Sequence, residues 1–386
     1  MAEKVIYLDN NATTAVAPEV LDAMLPFLKE RYGNPSSIHR FGGLVRRNID
    51  AARGQVASLI GCRPEEIYFV SCGSESDNMA IVGFAKAHKA RTRIVTSAVE
   101  HPAVRTLCAG LKADGVEVVE IGVDSNGLLR QDQLDHVTLD PDTLLTFMWA
   151  NNETGVLFPV EKLATAAHAN GALFHTDAVQ AVGKIPIDLT KTDIDMLSLS
   201  GHKLHAPKGV GALFIRKGTR VSPFLIGGHQ EHGMRAGTEN VASIVGLGKA
   251  CELALAHLEE ENTRVRKLRD RLEAGLLSTC TAAHRNGDAL MRLPNTANIS
   301  FEFIEGEGIL LLLDEKGIAA SSGSACTSGS LEPSHVMMAM GVPYTLAHSS
   351  TRFSLSRYTT DADVDAALAA MPAIVERLRK LSPYVK

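Results

Sequence analysis

Short apolar runs and longer amphipathic stretches take turns along most of the chain. Ile67–Ser71, Arg93–Ser97, Val116–Ile121, Thr143–Trp149, Ala172–His175 and Ile194–Leu199 are apolar-rich runs with the length of buried strands. Between them Ser74–Ala90, Pro102–Asp114 and Val160–Asn170 carry the spacing of helices. This alternation predicts an α/β fold with a mostly parallel sheet and helices on both faces. Val210–Ile215 follows its predecessor after a short link and is expected antiparallel to it.

Ahead of this block, Val5–Leu8 reads as a strand. Pro18 opens a helix to about Glu30 with a kink or break expected at Pro26, and Phe41–Ile60 reads as a helix closed by Gly61. After the glycine- and histidine-rich stretch Gly227–Gly237, a helical pattern runs from Val241 to Leu277 with a charged, solvated middle that bridges two domains. The pattern then becomes α+β: strand Thr296–Phe301, helix Gly306–Lys316, loop Ser321–Ser330, strand Thr351–Leu355 and helix Asp361–Leu381. The expected division is a large domain over 15–259 and a small one formed by 1–14 with 260–386, carrying the loop 321–330.

The length of 386 residues suits such a division. A net charge of −5 provides no basic excess to neutralise nucleic-acid phosphates. The amino terminus carries an acid and no long apolar core, so it does not read as a signal peptide, and no apolar run approaches a membrane span. A cytoplasmic protein with six reduced cysteines is the expectation, and none of them lies in a C-x-x-C pair.

In an open α/β sheet the ligand crevice lies at the carboxyl ends of the strands. Two predicted strands end there in polar clusters, Thr176–Asp177 and Ser200–Gly201–His202–Lys203. An acid and a lysine so placed suit pyridoxal 5'-phosphate (PLP): the lysine forms the Schiff base and the acid keeps the ring nitrogen protonated. A plain ion pair is the alternative. Gly73 and Ser74 open a helix after a strand, where free N–H groups attract a phosphate, although Ser74 with Asp77 also fits a helix-capping pattern. His101, before a proline at a helix start, is placed to stack on a planar ring or move protons. Asn152 lies just past a strand and can reach the ring hydroxyl or a substrate carboxylate; Gln180, read as one helical step after Asp177, is a second ring contact. Cys326 sits in SSGSACTSGS, whose glycine–serine composition predicts an exposed, mobile loop, an odd home for a packing thiol. Cys62, Cys108 and Cys251 fit the usual inert role.

The motifs LDNNATT (8–14), GNPSSIH (33–39), SCGSESDN (71–78), EHPAV (100–104), ANNETG (150–155), FHTDAVQ (174–180), SGHKLHAPKG (200–209), MRAGTEN (234–240) and SSGSACTSG (321–329) stand in order along essentially the whole chain. Together they resemble the PLP-dependent cysteine desulfurases, class-V aminotransferases, and within them the nitrogen-fixation type. The resemblance implies an aspartate-aminotransferase-like fold (PLP fold type I), with a seven-stranded sheet in the large domain, and a homodimer. It implies Lys203 as the lysine bonded to PLP, Asp177 as partner of the ring nitrogen, and Gly73, Ser74, Ser200 and His202 around the phosphate, with Thr238 reaching in from the other subunit. It further implies His101 stacked on the ring, Asn152 and Gln180 in contact with it, Arg352 on the substrate carboxylate and Cys326 as sulfur acceptor. L-cysteine is then the substrate and an iron–sulfur scaffold protein the onward acceptor. Two departures stand out: Ser349 where the family commonly has glycine before the arginine segment, and an end at Tyr384–Lys386 where members often continue with a docking tail.

Alternatives on the same fold are an aminotransferase and a selenocysteine lyase. An alternative of another class is a metal- or iron–sulfur-binding scaffold, since His202 with His205 and His229 with His232 have spacings compatible with one helical face.

Overall fold

The computed structural model describes residues 5–88, 92–322 and 332–383. The chain runs β1 (Ile6–Tyr7), α1 (Pro18–Lys29), α2 (Arg40–Ile60), β2 (Ile67–Val70), α3 (Gly73–Ala87), β3 (Arg93–Ser97), α4 (Pro102–Ala113), β4 (Glu117–Ile121), α5 (Gln131–Leu134) and β5 (Thr143–Thr146). It continues with α6 (Val160–His168), β6 (Leu173–Asp177), β7 (Met196–Ser200), β8 (Gly211–Ile215) and α7 (Val241–Ala256). Next come α8 (Leu258–Glu260), α9 (Arg266–Thr279), β9 (Ala283–Arg285), β10 (Thr296–Phe301), α10 (Gly306–Asp314), β11 (Ile318–Ala319) and β12 (Ser321–Ser322). The described chain closes with α11 (His335–Ala339), α12 (Tyr344–Ala347), β13 (Thr351–Ser354) and α13 (Asp361–Leu381).

Seven strands form one sheet in the order β2-β8-β7-β6-β5-β3-β4. β8 alone among them runs antiparallel to its neighbours, as its short link to β7 requires. Large apolar side chains fill both faces; Phe84, Phe147, Phe174 and Phe214 are fully buried. A second, antiparallel sheet of order β12-β13-β10-β9 has its own apolar cluster, built on Leu272, Phe301, Phe353 and Met371. β1 pairs in parallel with β11, so Ile6–Tyr7 lie beside a strand of the last third of the chain.

Several sequence expectations change here. Helix α1 passes through Pro26 without ending there. β5 stops at Thr146 instead of Trp149, although Trp149 N still donates to Asp177 O at 2.9 Å. The expected single helix Val241–Leu277 breaks at His257 with a bend of 56° and passes through a π-turn at Glu261–Val265. Its charged middle is not wholly solvated: Glu261 is buried against Lys184 at 3.2 Å, and buried Glu273 pairs with Arg292. Hydrophobic periodicity cannot distinguish a charge facing water from one facing a buried counter-charge. Among the described residues no single helix is long and apolar enough to cross a membrane.

Candidate active site

The carboxyl ends of β6 and β7 lie side by side, with Asp177 paired to Ser198 across the ladder. Asp177 is therefore carried at the centre of the sheet, while Ser200 closes β7 and a single tight turn, Gly201–Lys203, delivers His202 and Lys203. Burial pushes the Asp177 carboxyl above its usual range, opposed by the charges of His101 and Lys203 and by the Val179 N–H. The same burial, with Lys203 nearby, pulls His101 down, although Asp177 acts against the shift. Three of the sequence-predicted residues thus act on one another. His101 also N-caps α4, accepting from Ala103 N at 3.1 Å.

Around this centre lies a cradle. A methyl group added to Gly73 would meet Val179 Cγ2 at 2.9 Å and Ser200 Cβ at 3.5 Å, so the start of α3 lies close against the turn after β6 and the end of β7. Residue 72 leaves the first amides of α3 without a side-chain cap. The Ser74–Asp77 capping expectation is not realised: the helix starts one residue earlier, and Ser74 is exposed at its opening. Ser200 Oγ is fully buried with no hydrogen-bond partner. A buried hydroxyl without a partner requires an explanation, and a bound anionic group would supply one. Uncapped amides, a glycine approach and a waiting hydroxyl fit a phosphate, and with Lys203 and Asp177 beside them they fit PLP.

The amino-terminal loop closes the site from the other side. Lys203 Nζ donates to Asn11 O at 2.5 Å and to Ala12 O at 2.7 Å, and Gln180 Nε2 donates to the same Asn11 O at 3.0 Å. Gln180 lies in a turn, not on a helix. His202 Nδ1 lies 3.1 Å from Thr13 Oγ1, and burial takes this imidazole down to about 4. Asn152 meets Arg352 through its backbone: its carbonyl accepts from the guanidinium at 2.8 Å and from Asn11 Nδ2 at 3.3 Å. Arg352 sits in a regular strand opposite Asn298, so Ser349 does not disturb it. That serine instead accepts from Phe301 N at 3.0 Å. The second face of the Arg352 fork holds Asp9 at 2.8 Å.

Thr238, expected from the other subunit, is exposed in the stretch after Gly237 of this chain, and Cys326 lies outside the described residues. Burial pushes the thiols of Cys62, Cys108 and Cys251 up to about 12, which leaves them poor nucleophiles. His202 and His205 do not share a helical face, because the turn ends at Lys203 and His205 adopts φ 63° with Nδ1 on Ala15 O.

Sequence reading missed the loop residues Asp9, Asn11 and Thr13, and a buried set beneath Asp177. In that set His175 bonds Thr146 at 2.8 Å and Ser198 at 3.0 Å, with Asp77 at 3.8 Å. Burial and the neighbouring Asp177 hold Asp77 well above the usual carboxylate range. The signal available was His175 two residues before Asp177, hence on the same face of one strand. A cavity of about 850 Å³ is lined by Glu302, Glu305, Tyr344 and Leu381; among the described residues, neither Asp177, Ser200 nor any lysine lines it.

Residues 6–367 match the family model described as aminotransferase class-V. This chain belongs to that family. It is 59% identical over 381 residues to a cysteine desulfurase of Gluconacetobacter diazotrophicus, covering 98% of this chain and 95% of that protein. It is 57% identical over 380 residues to the cysteine desulfurase NifS of Azotobacter vinelandii, covering 98% and 94%. A solved NifS-like protein superposes with a TM-score of 0.90 at 39% identity, covering 97% of this chain and 99% of that one. The class-V membership and this likeness agree with the fold expected from the sequence, a large, mostly parallel seven-stranded sheet of PLP fold type I.

Proposed function

We propose that this chain is a PLP-dependent cysteine desulfurase that converts L-cysteine to L-alanine and moves the sulfur onto its own Cys326. The observation that carries the reading is the meeting of Lys203, Asp177 and the vacant hydroxyl of Ser200 at adjoining strand ends, beside the glycine-lined start of α3. The high identity to proteins named cysteine desulfurase supports the choice of substrate.

In this reading Gly73, Ser74, Ser200 and His202 hold the phosphate with the amides of α3, and Thr238 of a second subunit completes the cradle. Asp177 faces the ring nitrogen, His101 the ring, and Asn152 and Gln180 its polar edge. When bound, PLP supplies an electron sink for the charge that develops at the substrate Cα. Lys203 would hold the cofactor covalently, and its Nζ is the base that would take the substrate Cα proton. To reach the cofactor, this amine leaves the carbonyls of Asn11 and Ala12. Asp177 would face the ring nitrogen and hold its proton; burial raises this carboxyl, and the neighbouring His101 and Lys203 act against that shift. Arg352 offers a planar fork to the substrate carboxylate, in exchange for or alongside Asp9.

The Cys326 thiolate attacks the substrate sulfur. The C–S bond breaks, an S–S bond forms, and cysteine plus thiol become alanine plus persulfide without an outside oxidant or reductant. The onward acceptor is an iron–sulfur scaffold protein, and the working form is a cytoplasmic homodimer. We assign 15–259 to a large domain and 1–14 with 260–386 to a small one, supported by the two separate sheets and their separate apolar clusters.

The test is incubation of the purified protein with sulfur-labelled L-cysteine, followed by amino-acid analysis and peptide mass spectrometry. One alanine per sulfur delivered, with label on the Cys326 peptide, is expected. Turnover that requires a keto acid, or an unlabelled Cys326 peptide, would overturn the reading.

A further inference from the structure

The guanidinium of Arg352 is almost fully covered. Its side chain is 3% exposed, and among the described residues its ion-pair partner is Asp9. Nη1 donates to the Asn152 carbonyl at 2.8 Å, and Nη2 donates to Asp9 Oδ1 at 2.8 Å. Nε is buried and has no hydrogen-bond partner. A guanidinium can offer a carboxylate two parallel bonds along either of two edges, Nη1 with Nη2 or Nε with Nη2. Both edges use Nη2, the nitrogen that Asp9 holds. Asp9 engages it through a single bond, while Nε beside it makes none.

The two side chains are held differently. Arg352 is fixed from its backbone, where β13 pairs it with Asn298 of β10 and Ser321 of β12, and again at Nη1 by Asn152. The Asp9 backbone is fixed too, by a bridge to Ser354 and by the Ala12 N–H on its carbonyl at 3.0 Å. Its side chain is not: 18% of it is exposed, and among the described residues Arg352 is its hydrogen-bond partner. Rotation of the Asp9 side chain therefore frees Nη2 without moving either backbone.

Charge decides the direction of the effect. Asp9 already balances the positive charge of Arg352. A second carboxylate arriving on the same guanidinium either displaces Asp9 or lies against a like charge, and both weaken its hold. Arg352 does not need Asp9 for its orientation, because the β13 ladder and the Asn152 carbonyl supply it.

We propose that Asp9 is a specificity-determining residue: it competes with the α-carboxylate of the amino-acid substrate and product for Nη2 of Arg352. The proposal rests on Arg352 being the carboxylate clamp of the reaction above. L-cysteine and L-alanine carry the same carboxylate, so the competition weakens both alike. Such uniform weakening lets the product leave without slowing the bond-breaking step.

The experiment uses the PLP-loaded protein and the variants D9N, D9S, R352Q and D9N/R352Q. Binding is read as the shift of the cofactor's visible band during titration with L-alanine, and with ethylamine, which has the amine but no carboxylate. In D9N the half-saturating concentration of alanine should fall about ten-fold, the scale of one hydrogen bond to a charged group, while that of ethylamine stays within about two-fold. D9S should give the same change, and carries the test if D9N does not fold. R352Q should lose the preference for alanine over ethylamine, and adding D9N to it should restore nothing. Unchanged or weaker alanine binding in D9N, with the preference lost in R352Q, would overturn the proposal and make Asp9 a residue that orients the fork. Equal tightening of both ligands in D9N would overturn it as well, since the effect would then not act on the carboxylate. A preference that survives in R352Q would instead remove the reading of Arg352, and the competition with it, a result visible without any change at Asp9. If R352Q does not fold, the contrast of the two ligands in D9N decides the matter.

Discussion

Lys203 Nζ and the backbone oxygen of Asn11 stand 2.5 Å apart although 192 positions separate them in the chain. The same oxygen receives Gln180, and the Asn11 side chain reaches Thr296 Oγ1 at 2.9 Å, Asn295 Nδ2 at 3.1 Å and the Asn152 carbonyl at 3.3 Å. One residue of the first loop therefore joins the lysine turn, the Asn152 loop and the second sheet. The loop of Asn11 is part of the candidate site.

Asn11→Ala should leave several buried polar groups unpaired, at a cost of about 1–3 kcal/mol for each that finds no water. Urea denaturation should show the loss. Borohydride reduction of the loaded variant should label the Lys203 peptide less completely than in the parent, because the loop that positions the amine is loosened. A variant of parental stability would refute this role for Asn11.

Asp177→Asn keeps the shape of the side chain and removes the charge meant for the ring nitrogen. We expect kcat to fall about 10²-fold or more, with the protein folded and cofactor still reducible onto Lys203. Circular dichroism and steady-state alanine production check the two halves of this statement.

Ser200→Ala removes the vacant hydroxyl, and Gly73→Ala drives a methyl group into Val179. Each should weaken PLP binding by about ten-fold, equal to about 1.4 kcal/mol. Equilibrium dialysis against free PLP measures it. Ser74→Ala, at an exposed position, should have a smaller effect than Ser200→Ala.

Arg53 and Glu231 form a buried two-bond pair at 2.8 Å, with Arg53 also on Ile67 O and Glu231 on Phe69 N. Arg53→Ala strands a buried carboxylate and should cost about 3–5 kcal/mol. Glu231 and His232 both adopt positive φ beside this pair, and the loop toward Thr238 should become more sensitive to protease in the same variant.

The pH dependence of stability should have two opposing limbs. Burial lowers His175 and His205 from 6.5 to about 3, so the unfolded chain takes up protons that the folded one refuses. Their contribution is complete above about pH 6.5 and is lost as the pH falls toward about 3. Burial raises Glu100 from 4.5 to about 8, so the folded chain keeps a proton that the unfolded one releases. That contribution is complete below pH 4.5 and is lost as the pH rises to about 8. Denaturation of Glu100→Gln from pH 4.5 to 8 should show a flatter alkaline limb, and an unchanged slope would count against the assignment.

Much of the site was legible because its signals are local. Strand ends in an alternating α/β pattern must open on one edge, which singled out Asp177, Ser200 and Lys203 together. Gly73 was legible for the same reason, since a helix start after a buried strand carries its chemistry within a few residues. The break at His257 was not legible, and neither were the distant partners of the helical stretch after it, Lys184 for Glu261 and Arg292 for Glu273. Asp77 fits a capping pattern in the sequence, and its burial next to Asp177 depends on how α3 lies across the sheet.

The residue pattern by itself determined the alternation of strands and helices, the antiparallel β8 and the polar clusters at the strand ends. Those features follow from periodicity and from link length, both of which are local in the chain. Only the tertiary structure decided that Asn11 receives Lys203, that Asp9 shares Arg352, and that Ser334 closes on Glu153. These pairs join positions 181 to 343 residues apart. Their meeting is set by the order in which strands assemble into sheets, and packing imposes that order on the chain as a whole.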